Sequence, residues 1–303
     1  MAARPSVYPF YMYKQKIFLL KIAASAVFLG RGWQYLLWDA PYRSFFWDES
    51  IMGPVASWLG YDWSAYLNEV ATDSHIGNLV IVSGCIFLCC ALAVWILPRW
   101  KKIFSPLIIL GVLQMLFLTF LYWKEHFFII AQLIEYSLQW STPLFLLYWI
   151  KKRNTPSKMF FWLKVAIALT FVGHGLYALG LFFPVPANFT VMTVKILGVN
   201  QDQAFQFLFW AGVLDMVVGL GIFLPFKWAR WVLLYAVLWG LATTAARIWA
   251  HFYLENLEFV FWRWVPEALF RVPHFLMPYF LWRACTRMHP PSLRFGGQAG
   301  YPG

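Results

Sequence analysis

Residues 76–97 read IGNLVIVSGCIFLCCALAVWIL, a run without a single Asp, Glu, Lys or Arg. As an α-helix rising 1.5 Å per residue it is about 33 Å long, against about 30 Å for the hydrocarbon core of a bilayer. A helix bonds all its own backbone polar groups, so such a run crosses lipid at little cost. Working outward from it, seven further segments have the length and apolarity of a span: roughly 17–38, 103–122, 127–149, 160–183, 204–224, 229–249 and 264–284. The last is the most polar, because Glu267, Arg271 and His274 lie inside it.

The whole composition agrees. Of 303 residues 61% are hydrophobic, and only 12% are charged where an average soluble domain has about a quarter. The net charge of +11 does not point to nucleic acid, because the basic residues sit in short clusters between apolar runs. Arg4, Lys14 and Lys16 precede the first run. Arg99, Lys101 and Lys102 follow the second. Lys151, Lys152, Arg153 and Lys158 follow the fourth, Lys227 and Arg230 the sixth, and Arg283, Arg287 and Arg294 the eighth. The alternate connections are poor in Lys and Arg. The first, Asp39 to His75, holds six carboxylates and only Arg43. By the positive-inside rule both termini are expected in the cytoplasm, with 39–75 and 184–203 on the periplasmic side of an inner (plasma) membrane. The expected fold class is thus all-α, a polytopic membrane bundle of about eight helices.

The two halves of the chain read alike. Phe28-Leu29-Gly30-Arg31-Gly32 matches Phe171-Val172-Gly173-His174-Gly175, and at the same offset Pro41 matches Pro184. Leu97-Pro98-Arg99-Trp100 resembles Leu224-Pro225-Phe226-Lys227-Trp228, and Pro143-Leu144-Phe145-Leu146 resembles Pro278-Tyr279-Phe280-Leu281. With four spans each, the halves start on the same side. The expectation is two parallel four-helix repeats, 1–153 and 154–303, related by an axis along the membrane normal.

In the second half, Ala211-Gly212-Val213-Leu214-Asp215, then Gly219 and the basic pair Lys227 and Arg230, resemble the second helix of DoxX-like membrane proteins, a four-helix family. The Gly173-His174-Gly175 run fits that family's first helix, and the resemblance covers about Lys164 to Ala250. The first half lacks an acidic residue at the position equivalent to Asp215. Some DoxX-like relatives are linked to quinone-coupled sulfur oxidation, so the resemblance implies a fold first and a quinone as cofactor second.

Ionisable groups within spans are costly and mark candidate sites. Arg31 and Gln34 fall in the outer part of the first span and His174 in that of the fifth. Gln132, Glu135 and Gln139 form one helical stripe, Thr243, Arg247 and His251 a second, and Glu267, Arg271 and His274 a third. Asp215 lies near the middle of the sixth span. The candidate catalytic or ligand-binding residues are therefore Asp215, Arg31, Glu135, His174, Arg247 and His274, expected to share one outward-facing pocket with the first connection as its lid. The structural alternative pairs Arg31 with Glu135, Asp215 with Arg247 and Glu267 with Arg271. No metal-ligand spacing, Gly-rich phosphate loop or nucleophile elbow is present. Three functions remain open: a quinone-linked redox protein, a non-enzymatic subunit scaffolding a membrane or periplasmic partner, and a transporter of a small anion or lipid. Carboxylase-like chemistry is a more distant fourth.

Overall fold

A computed structural model of the chain describes residues 10–151 and 156–288. Arg4, Lys152, Arg153 and Arg294, and the boundary between the expected repeats, lie outside the described residues. Among those described there is no strand. The helices are α1 (Phe10–Leu37), α2 (Arg43–Phe46), α3 (Glu49–Trp58), α4 (Trp63–Asn68), α5 (Val70–Ile96), α6 (Lys101–Glu125), α7 (Ile130–Glu135) and α8 (Ser137–Lys151). There follow α9 (Pro156–Leu179), α10 (Ala187–Leu197), α11 (Gln201–Gly221), α12 (Phe226–Trp249), a 3-10 turn at Leu254–Asn256, α13 (Leu257–Leu269) and α14 (Val272–Met288).

Five of these, α5, α6, α9, α11 and α12, are long and apolar enough to cross a membrane. Their outward faces carry large apolar side chains such as Leu92, Leu113, Trp210 and Leu220, all more than half exposed. Water would penalise such a surface and lipid does not. The chain is a membrane-embedded helical bundle.

Two expected spans are broken. The segment 127–149 does not start as helix: Phe127 and Phe128 take left-handed backbone angles, φ 52° and 58°, as the chain reverses after α6. It then divides at Tyr136 into α7 and α8, and the Leu138 amide freed at the break donates to Thr170 Oγ1 of α9 at 3.0 Å. The segment 264–284 divides at Phe270–Arg271. Pro273 has no N–H to offer the Leu269 carbonyl, which weakens the backbone where α13 ends and α14 begins. Each polar stripe predicted on these segments is consequently split between two helices.

Close helix packing is set by glycines at matching places. A Cβ on Gly30 of α1 would lie 2.7 Å from Pro266 O and 2.8 Å from Phe270 N, at the end of α13. On Gly173 of α9 it would lie 2.9 Å from Ala131 O and 2.8 Å from Glu135 N, at the end of α7. A Cβ on Gly32 would lie 3.0 Å from the Gly84 carbonyl oxygen of α5, and one on Gly175 3.0 Å from the Gly212 carbonyl oxygen of α11. Thus α13 docks on α1, α7 docks on α9, and α1 pairs with α5 as α9 pairs with α11.

The first connection forms α2, α3 and α4. Asp48 caps α3 through Ser50 N and pairs with Lys124 Nζ at 2.6 Å. That ammonium, with the Ser50 hydroxyl, holds the Asp48 carboxyl down at about 2. Arg43 bridges Asp39 at 2.9 Å and Asp73 at 2.7 Å. These contacts tie the segment to α5 and α6.

Candidate functional site

The second connection of this kind, α10, covers a cavity of about 280 Å³. Its walls come from α9 (Phe171, His174, Ala178), α11 (Phe207, Leu208, Ala211, Asp215) and α12 (Trp239, Gly240, Ala242, Thr243, Ala246, Arg247), with Arg271 and His274 closing one end. Phe189, Met192, Thr193, Ile196 and Leu197 of α10 form the roof. The expectation that residues 39–75 provide the lid is corrected: α2 packs on α6 and α4 on α5, and the roof is α10. Its apolar residues recur at helical spacing from 189 to 196, a signal readable in the sequence.

The turns around α10 are tightly specified. Gly198 caps it with φ 65°, and Gly180 ends α9 with the same angle, backbone that favours glycine. Two residues on from Gly198, Asn200 and Gln203 form a reciprocal capping box that starts α11. Lys195 on α10 reaches Tyr253 Oη at 2.8 Å, tethering the roof to the far side.

Between Gly173 and Gly175, His174 is fixed on α9 by close packing on both sides. Its Nδ1 contacts the Thr170 carbonyl at 2.8 Å, and its Nε2 lies 3.8 Å from Glu135 Oε2. The His274 ring stands edge-on to it with centroids 5.3 Å apart. His274 Nδ1 contacts the Arg271 carbonyl at 2.9 Å. On α12, Gly240 lets the first turn of α14 come so near that a Cβ there would lie 2.5 Å from His274 O. Glu267 is shared by two guanidiniums, Arg271 at 3.4 Å and Arg247 at 3.7 Å.

Of the six candidates, the cavity brings together Asp215, His174, Arg247 and His274. Glu135 stands behind His174 and is held by Gln132 Nε2 at 2.9 Å. Arg31 is elsewhere. It is 1% exposed, donates to Gln139 Oε1 at 2.6 and 3.2 Å and to Gln34 Oε1 at 2.7 Å, and lies 3.7 Å over the Phe270 ring. Its anticipated partner Glu135 is not the one it takes, because the break at Tyr136 separates Glu135 from Gln139. Asp215 and Arg247 do not pair either, whereas Glu267 and Arg271 do. His251, expected to follow Arg247 on its stripe, stacks on Trp264 at 3.4 Å between centroids. Arg271, Trp239 and the roof of α10 were not among the candidates.

Three buried polar atoms on the wall have no hydrogen-bond partner: Asp215 Oδ1, Arg247 Nε and His274 Nε2. The side chains that own them are 3%, 6% and 5% exposed. Buried polar groups are almost always bonded, so three on residues that line one cavity are notable. The hydroxyls of Thr193 and Thr243 are already spent on carbonyls of their own helices. Among the described residues, no three His, Cys, Asp or Glu side chains converge to hold a metal ion.

The roof and walls are thinnest between α11 and α12, which pack against α9 and α14 respectively far more than against each other. Phe207 and Trp239 bridge this seam, ring centroids 6.1 Å apart, and Phe207 and Leu197 beside it are 40% and 48% exposed. No family model, curated protein or solved structure matches the chain.

Proposed function

We propose that this is a DoxX-like protein of the inner membrane that binds the ring of a membrane quinone in the cavity beneath α10, in service of redox chemistry. The observation that carries the reading is that Asp215, Arg247 and His274, each with a buried unpartnered polar atom, line one largely apolar cavity. A cavity of about 150 Å³ takes benzene, so one of about 280 Å³ has room for a substituted six-membered ring. Apolar walls with a few directed polar groups suit such a ring. A bound quinone would supply two-electron chemistry; the protein's own groups orient it and offer sites for its protons.

Purification in mild detergent, solvent extraction and a redox difference spectrum test this. The expected result is about one quinone per chain, or saturable quenching of tryptophan fluorescence when a short-chain quinone is added to stripped protein. A chain that retains none and shows no quenching refutes the reading. Copurification with a defined partner instead would support a scaffold. Small-anion or lipid transport is the second reading, favoured by the paired helix breaks at Tyr136 and Phe270–Arg271.

The same proposal counts eight crossings, α1, α5, α6, α7–α8, α9, α11, α12 and α13–α14, in two parallel repeats. Its support is the matched packing of Gly30 with Gly173 and Gly32 with Gly175, and the exchange in which α7 docks on α9 and α13 on α1. The basic clusters support cytoplasmic termini in this reading. Single cysteines in a cysteine-free background check this: Asp62→Cys is expected to react with an impermeant maleimide on intact cells, and Lys102→Cys only after lysis. The reverse pattern inverts the topology.

A further inference from the structure

We infer that the cavity selects the reduced, dihydroxy form of the ring over the oxidised dicarbonyl form, with His274 as the discriminating acceptor. This rests on the reading of the cavity as a ring site. The argument begins with the Arg271 carbonyl. A carbonyl oxygen only accepts hydrogen bonds, so the 2.9 Å contact with His274 Nδ1 requires the proton to be on Nδ1. In the neutral imidazole Nε2 then carries a lone pair and no hydrogen. That atom is buried, unpartnered and on the cavity wall. The neighbouring histidine does not satisfy it: the Thr170 carbonyl fixes the proton of His174 on Nδ1 in the same way, and His174 Nε2 turns to Glu135.

The unpartnered set can therefore be sorted by role. Arg247 Nε is a donor, for a guanidinium has no acceptor. His274 Nε2 is an acceptor. The Asp215 carboxyl has no cation partner and can donate when it holds its proton, so it does not discriminate. An oxidised quinone offers two carbonyl oxygens and no donor. It can answer Arg247 and leaves His274 Nε2 unpaired in a dry site. A quinol offers two hydroxyl hydrogens and keeps oxygen lone pairs, so it can answer both. A site whose buried acceptors expect a hydroxyl discriminates strongly against the analogue that lacks it, because the acceptors stay unpaired. Trp239, on the same wall, provides a fluorescent reporter.

The test titrates detergent-purified full-length protein, stripped of lipid-soluble ligands, with three short-chain probes: a benzoquinone, its quinol under anaerobic reducing conditions, and the quinol dimethyl ether. Affinity is read by calorimetry and by tryptophan quenching. The quinol is expected to bind at least about tenfold more tightly than either of the others, the equivalent of one good buried hydrogen bond. His274→Leu is expected to erase most of that preference while changing the quinone affinity little. Equal binding of quinol and quinone, or of quinol and its dimethyl ether, overturns the inference and leaves the ring-site reading standing. No binding of any probe overturns that reading as well. A preference that survives in folded His274→Leu overturns the assignment of His274 as the discriminating acceptor. The comparison of three probes on the unaltered protein needs no variant to fold.

Discussion

Arg31→Leu is expected to destabilise the protein by about 3–5 kcal/mol while leaving ligand binding intact. Among the described residues Arg31 is the largest wholly buried side chain, and its hydrogen bonds to Gln139 and Gln34 are charge-assisted, the first of them fully buried. Leucine removes the charge and strands two amide oxygens, Gln139 Oε1 and Gln34 Oε1, in a site closed over by Phe270, Tyr136 and Tyr122. Each stranded acceptor costs about 1–3 kcal/mol. In a thermal melt in mild detergent the midpoint should fall by on the order of 10 °C. Arg31→Leu combined with Gln139→Leu should recover part of the loss, since the larger of the two debts is then removed with its holder. An unchanged midpoint, or lost ligand binding in a stable variant, would show that Arg31 belongs to the binding site after all.

Gly240→Ala should act on both stability and binding. The added methyl would lie 2.5 Å from the His274 carbonyl oxygen and 2.7 Å from its carbon, both backbone atoms that cannot rotate away. The first turn of α14 has to shift, at a cost of about 1–3 kcal/mol for overpacking. Because that turn carries His274, ring affinity should fall at least about tenfold. Gly77→Ala on α5 is the control. Nothing lies within 4 Å of a Cβ there, so replacing a mid-helix glycine is expected to stabilise by up to about 1 kcal/mol. If Gly240→Ala melts and binds like the unaltered protein, α14 is not seated as described.

The helical, membrane-embedded character of the chain is legible from residues 76–97 alone, because a run without charges has few alternatives to a spanning helix. The Gly-x-Gly runs could also be found, since glycine stands out in an apolar helix. What they do is not readable from them. Each pair of glycines serves two neighbouring helices, and the residue between them, Arg31 in one case and His174 in the other, is committed by whatever arrives opposite. Opposite Arg31 comes an amide, Gln139, and the site seals. Opposite His174 comes a second histidine, and room remains. The break at Tyr136 was hidden because no proline accompanies it and its loose amide is taken up by Thr170, a residue on another helix. The break before α14 did have a signal in Pro273, outweighed by the apolar residues around it. The roof, α10, is shorter and less charged than the first connection and stands out less in the sequence, whereas the first connection's Asp39, Asp48 and Asp73 pair with Arg43 and Lys124 and not with the cavity.

The seam between α11 and α12 has a consequence for how affinity is to be expressed. Phe207, 40% exposed, stands where this seam meets the cavity, so a ligand entering there comes from the surrounding hydrocarbon and not from the aqueous phase. A ligand that partitions into lipid is then diluted by every additional bilayer or micelle present. The meaningful constant is a mole fraction in the amphiphile. Dissociation constants quoted per litre of buffer will rise in proportion to the detergent added, and preparations are comparable only at a fixed ratio of amphiphile to protein.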